Sequence, residues 1–362
     1  LKYLDHYIKN KKISAEIFNN KLNTPFVFPK NFQIKNFRSK EEIERFLKNK
    51  EIIGISINNF GTDLPSLKLL VYLKKFKIHH IEINDISNIK IKSKIEIKYI
   101  LKGIKFKLSK IFYNILLFLL SNIGLISKIE IKFTSKKTEK IFEKLIIALK
   151  LSRIKHLKLI NSKAFDILND EKIQINEDKI TLIDDFFGHP TSLKLRGEID
   201  QRSVKNHYDL LVKMLHLFSE KFQKEIVVCI HPKDDLESKK KIFSSFKVVK
   251  YKTRENILNS FLVIFFESSA IIDAIILKKK IITIYSPYVD DNVKNASNTY
   301  RDKIGIHQIN INEDFKNIES DLIYKLETNK EKYNNFIDNY VSPNGIEPGY
   351  KTIINKLKKN YF

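Results

Sequence analysis

Ten short apolar runs, separated by stretches with helical spacing, constrain this chain more than any other feature. In the first half they are Ile52–Ile57, His79–Ile83, Ile129–Phe133, His156–Ile160 and Ile180–Ile183. In the second half they are Ile226–Ile230, Lys247–Tyr251, Leu262–Phe266, Ile281–Tyr285 and His307–Ile311. Most have the length and the Ile, Val and Phe content of a strand, and all ten are strand candidates. Helical periodicity between them predicts helices over Leu64–Phe76, Thr138–Leu151, Val204–Phe222, Ser269–Leu277 and Phe315–Asn339. Strand, helix, strand repeated in this way predicts an α/β class fold, with parallel sheets covered by helices. At 362 residues the chain exceeds one ordinary core. The segment Gly188–Asp200, with Pro190 and Gly197, reads as the link between two sheet domains. The expected division is 1–190, then 191–340, then a C-terminal helix in 341–362 that could cross back to the first domain.

Composition excludes several classes of function. A content of 43% hydrophobic and 11% aromatic residues is enough to build cores, so a disordered basic tail is excluded. One cysteine, Cys229, leaves no intrachain disulfide framework and no Cys-rich zinc site, and inside IVVCI it reads as inert core. Nine glycines, no two of them two residues apart, exclude a G-x-G-x-x-G loop. The patterns G-x-x-x-x-G-K-[ST], G-x-S-x-G and H-E-x-x-H are absent, as are D-x-D triplets and paired histidines on a helix face, so the expected site holds no metal and no cofactor. The 66 basic and 42 acidic residues give a net charge of +24. That excess is nearly all lysine, in a chain crowded with Ile, Asn and Phe, and resembles the drift of an AT-rich genome. Readers of nucleic acid favour arginine, so an anionic lipid or acidic glycan surface is the better expected partner.

LKYLDHYIKNKK lacks an apolar core of signal-peptide length, so no export signal is read and a cytoplasmic location is expected. The least polar stretch, Ile111–Ser127, carries no charge and has Lys107, Lys110 and Lys128 at its edges. It falls short of the ~20 residues that span a bilayer. Two readings stay open: a buried helix, or a helix that dips into a membrane face with lysines at its rim.

In parallel sheets ligands bind outside the carboxyl ends of the strands, so the residues that follow each run are the candidates. They are His231-Pro232-Lys233, Glu267-Ser268-Ser269, Ser286 in Ser286-Pro287-Tyr288, and Asp184-Asp185. Hydroxyls and backbone N–H groups opening a helix form a phosphate cradle, although a serine there can also be a plain helix cap. His231, on a loop restricted by Pro232, could bind a phosphate or protonate a leaving group. Adjacent carboxylates disfavour joint ionisation, which suits either Asp184 or Asp185 to act as a base; a solvated turn pair is the alternative. Weaker candidates are Asn58, Asn59 and Asp63 with Ser56 for an acceptor, and Arg196, Arg202, Tyr300 and Arg301 for an anion.

IVVCIHPKDD followed by LVIFFESSAIIDAIILKKKIITI resembles the carboxyl-terminal domain of the GT-B glycosyltransferases of bacterial surface polysaccharide synthesis. His231-Pro232 and Ser268-Ser269 are similar to the His-Pro and Ser-Ser motifs of bacterial sialyltransferases and polysialyltransferases. The resemblance covers roughly residues 180–310. It implies a GT-B architecture of two Rossmann-like domains facing a central cleft, residues 1–190 for the acceptor and 191–340 for a nucleotide-sugar donor. It implies metal-independent, inverting transfer from a CMP-activated nonulosonic acid, such as sialic acid, to a surface glycan or lipid-linked glycan. His231, Ser268 and Ser269 would then contact the CMP phosphate, and an Asp would serve as base. Asp184-Asp185-Phe186-Phe187-Gly188 is similar to that family's acidic motif but is interrupted by two phenylalanines. The same pattern resembles teichoic-acid glycerophosphotransferases, which use CDP-glycerol, and in style the Kdo transferases. A UDP- or GDP-sugar transferase, a non-catalytic relative and a basic membrane- or nucleic-acid-binding module are the competing readings.

Overall fold

The computed structural model describes residues 16–18, 33–35, 45, 54–56, 64–75, 77, 79–84, 112–135, 153–170, 177–184, 187, 201–289, 291–312, 328–343, 345 and 347–361. In chain order the first elements are β1 (Glu16–Phe18), β2 (Gln33–Lys35), β3 (Gly54–Ser56), α1 (Leu64–Lys75), β4 (His79–Asn84), α2 (112–122), β5 (Ile129–Thr134) and β6 (Ile154–Leu159). Next come α3 (Lys163–Asp170), β7 (Lys179–Ile183), α4 (Gln201–Phe222), β8 (Glu225–Ile230), α5 (Leu236–Ile242), β9 (Lys247–Lys250), α6 (Thr253–Leu258) and β10 (Ser260–Phe265). The last are α7 (Ile271–Ile276), β11 (Lys280–Tyr285), α8 (Asp291–Ile304), β12 (His307–Asn310), α9 (Lys330–Tyr340) and α10 (Gly349–Tyr361). All ten sequence-predicted strands are present, each within two residues of its expected ends. The expected helix Thr138–Leu151, the link Gly188–Asp200 and the first part of Phe315–Asn339 lie outside the described residues.

The chain divides into two compact units. The first, Leu1–Asp85, Lys98–Lys163 and Glu347–Phe362, holds a parallel sheet in the order β3-β4-β5-β6 and a parallel pair, β1-β2. Ile81, Ile131, Phe133 and Ile160 form one buried cluster of this unit, against which Ile353 and Leu357 of α10 pack. Asn161 Nδ2 donates to Glu347 O at 2.8 Å where α10 begins. A Cβ on Gly349 would lie 2.2 Å from Asn161 O, so only glycine permits this approach.

The second unit, Ile86–Ile97 and Ala164–Ile346, holds six parallel strands in the order β12-β11-β10-β7-β8-β9. Counted within this sheet from β9, the order is 3-2-1-4-5-6, the doubly wound arrangement. β10, SFLVIF, is buried at every residue, as a central strand covered on both faces must be. Leu182, Val228 and Ile264 point to one face, under Leu211, Met214, Leu215 and Phe218 of α4. Ile183, Val263, Phe265 and Ile281 point to the other, under Ile271, Ile275, Tyr300 and Phe336.

The expected boundary at 190 is corrected by this topology. β7 pairs with β10 and β8 and so sits at the centre of the second sheet, not at the end of the first domain. Its apolar sequence suits either sheet equally, and pairing partners are not encoded in a strand's own pattern. The chain after Lys163 already belongs to the second unit, which extends beyond 340 to Ile346, and the C-terminal segment returns to the first unit from Glu347.

Candidate functional site

Strand register brings the second-half candidates to one edge. Cys229, Ile183, Phe265 and Thr283 lie level across β8, β7, β10 and β11. One residue beyond that level comes Asp184, two beyond come His231 and Glu267, and three beyond come Ser268 and Ser286. Neighbouring strands lie about 4.8 Å apart, so the ends of β8 and β10, with β7 between them, are separated by about 10 Å. The strand order reverses between β7 and β10, and that is where ligands bind in open sheets of this kind.

His231 is half-buried at the end of β8. Its Nδ1 accepts a hydrogen bond from the Lys233 backbone N–H at 3.1 Å, which in the neutral ring puts the proton on Nε2. The Asp234 N–H donates to His231 O at 2.9 Å and closes the turn, while Pro232 and Lys233 stand exposed. An Nε2–H held in this way can donate to an anionic oxygen.

Asp184 departs from the expectation of a base beside a like charge. It is buried, and its carboxylate receives Lys239 Nζ at 2.6 Å. The same ammonium donates to the Tyr208 hydroxyl and lies 3.7 Å from Asp234 Oδ2. Tyr208 in turn donates to Phe187 O at 2.9 Å, and the Phe187 ring is itself buried. Lys239 therefore joins the end of β7 to the loop that carries His231. Phe187, the second of the two phenylalanines that interrupt the acidic motif, anchors the chain beyond β7 to α4. Asp185 lies outside the described residues, as do Asn58, Asn59, Asp63 and Arg196.

Ser268 is half-buried and Ser269 is exposed at the start of α7. Ser268 Oγ accepts from the Ala270 N–H at 3.3 Å, a turn bond that precedes the helix, whose cap position is Ala270 and has no side-chain cap bond. Burial raises the Tyr300 phenol pKa, and the negative charge of Glu267, beside Ser268, raises it further. Tyr300 stacks edge-on against Phe265 and is core, not an anion contact. Arg301 is bound to Asp302 and Gln308, and Arg202 is exposed on α4.

Ser286 also departs from its expected place. It is fully buried, pairs with His207 Nδ1 at 3.0 Å and accepts from the Tyr288 N–H at 3.3 Å. It props the edge from beneath and does not face outward. His207 and Lys239 are the two residues that sequence reasoning missed. His207 falls on the apolar stripe of α4, the one available signal, whereas Lys239 looks like any other lysine of a basic helix. Burial pushes the Cys229 thiol up to about 12, in keeping with an inert core residue. Among the described residues no group of three or more His, Cys, Asp or Glu could hold a metal ion.

No family model and no curated protein matches the chain. Solved structures do. The wall teichoic acid polymerase TagF is 14% identical and aligns over 99% of this chain and 85% of that one, with a TM-score of 0.53. A variant of the same polymerase gives 14%, 99%, 85% and 0.55. UDP-GlcNAc 2-epimerase from Methanocaldococcus jannaschii is 13% identical over 92% of this chain and 87% of that one, at 0.45. The likeness to the polymerase is one of fold: α/β with parallel sheets, as in the GT-B glycosyltransferases.

Proposed function

We propose that the chain is a glycosyltransferase of bacterial surface polysaccharide synthesis, such as that of capsule or lipopolysaccharide, working on a cytidine-nucleotide-linked donor. What carries the reading is the meeting of His231 and Glu267-Ser268-Ser269 at the carboxyl edge of one sheet, on either side of its switch point. The first choice of donor is a CMP-activated nonulosonic acid such as sialic acid. His231 Nε2–H and the Ser268 hydroxyl would bind the phosphate and stabilise the charge it gains as the bond to the sugar breaks. The acceptor hydroxyl oxygen would attack the anomeric carbon from the opposite face, its proton passing to a carboxylate, and CMP would leave with the bonding pair. Asp185 takes the base role here, because Asp184 is engaged with Lys239. A glycan or lipid-linked glycan acceptor would bring the enzyme to the inner face of the cytoplasmic membrane.

A second reading keeps the site and changes the reaction to polyol phosphate transfer from CDP-glycerol. The likeness of fold to a wall teichoic acid polymerase whose crystals were soaked with CDPG favours it. Thermal-shift measurements with CMP, CDP, UDP and GDP separate the possibilities, since a specific ligand raises Tm by mass action. A rise with CMP or CDP, lost in His231→Ala and in Ser268→Ala, is expected. A rise with UDP or GDP alone transfers the site to a different sugar nucleotide. No rise with any nucleotide, together with steeply salt-dependent DNA binding, would replace the transferase by a basic binding module.

A further inference from the structure

Helix α2 is amphipathic the wrong way round for a buried helix. Phe112, Leu116, Leu119 and Ile123 are 68%, 44%, 53% and 68% exposed. At about 100° per residue these positions fall within about 60° of one another, on one stripe. Asn114, Leu117 and Ser121, on the opposite side, are buried. The polar Asn114 and Ser121 therefore face the protein, and the large apolar side chains face out. Leu125, 56% exposed, extends the stripe past the end of the helix. The Ser127 N–H donates to Leu70 O at 3.3 Å, which sets α1 beside this segment, and there Val71 is 42% exposed.

The two segments that form this surface carry charge of one sign. Residues 64–77 and 112–128 contain no Asp or Glu, and they carry Lys68, Lys74, Lys75, Lys77 and Lys128. Lys74, Lys75 and Lys77 are exposed at the end of α1, and Lys128 is half-buried just after the apolar turn. A contiguous apolar stripe marks a contact surface, and a cationic border selects an anionic partner. Among the described residues no helix is long and apolar enough to cross a membrane.

We infer that α2 lies in the interface of an anionic lipid bilayer, with Phe112, Leu116, Leu119, Ile123 and Leu125 inserted among the acyl chains and the α1 lysines against the headgroups. This surface belongs to the first unit and does not depend on the nucleotide reading of the second. The chain has no tryptophan, so Leu119→Trp creates a single reporter on the stripe. On phosphatidylcholine vesicles containing phosphatidylglycerol, its emission shifts to the blue. The intact chain co-sediments with those vesicles at least tenfold more tightly than with pure phosphatidylcholine, and the combined variant Phe112→Gln/Leu116→Gln/Leu119→Gln loses that binding with its circular dichroism unchanged. Two results overturn the inference. One is unshifted emission from a Leu119→Trp protein that still pellets with anionic vesicles, which places the contact elsewhere. The other is a blue shift that follows protein concentration without lipid, accompanied by dimers in sedimentation, which makes the stripe a contact between copies.

Discussion

His207 is enclosed by Phe187, Tyr208 and Phe266, with ring centroids 4.9, 5.1 and 4.9 Å away. Burial, with the Lys239 charge adding, lowers its pKa from 6.5 to about 3, and burial lowers that of His80 to about 4. Both histidines bind a proton in the unfolded chain near pH 6.5 and stay neutral in the fold until far lower pH. Their contribution is therefore complete above that value and is lost as the pH falls below it. Unfolding free energy should drop as the pH falls from about 6.5 toward 4, by on the order of 1 kcal/mol per pH unit from His80 in the first unit and from His207 in the second. Urea titrations at several pH values read this slope, and His207→Asn should remove the contribution of the second unit. Lys239 makes a separate prediction. Its ammonium lies between the buried carboxylates of Asp184 and Asp234, so Lys239→Met leaves them uncompensated and should cost about 3–5 kcal/mol in the same titration. An unchanged midpoint would remove Lys239 from the support of the His231 loop. The place of neither residue was legible in the sequence, because a side chain's burial depends on what packs over it from distant segments.

The four inner strands of the second sheet were legible because they are apolar along nearly their whole length and five or six residues long, and this signature needs no knowledge of neighbours. The start of α7 was less so. Ser268 and Ser269 look like helix openers, yet Ala270 takes the cap position with helical φ and ψ, and the helix begins at Ile271. The membership of β7 was illegible for the reason given by its register: pairing with β8 and β10 joins residues 46 or more positions apart. The return of α10 to the first unit was legible only as an open option, and its start comes close to the Asn161 backbone at one residue. Gly349→Ala would set a methyl group against the Asn161 carbonyl and should cost about 1–3 kcal/mol of stability in the first unit. Limited proteolysis followed by mass spectrometry would read this as release of the C-terminal segment; a wild-type cleavage pattern would show that the approach tolerates a side chain.

Across the whole molecule, the placement of polar clusters after apolar strands was the part of the site that sequence could supply, since any parallel sheet exposes its carboxyl ends. Register and the 3-2-1-4-5-6 order added that those clusters share one edge and one switch point. The net charge of +24 was readable from composition, but its bearing on α2 depended on seeing an apolar stripe turned outward. The most direct measurement is a crystal structure of the intact chain soaked with CMP. The nucleotide phosphate is expected at the carboxyl ends of β8 and β10, within hydrogen-bonding distance of His231 Nε2 and Ser268 Oγ. CMP bound away from that edge, or no bound nucleotide at saturating concentration, would contradict the assignment of this site.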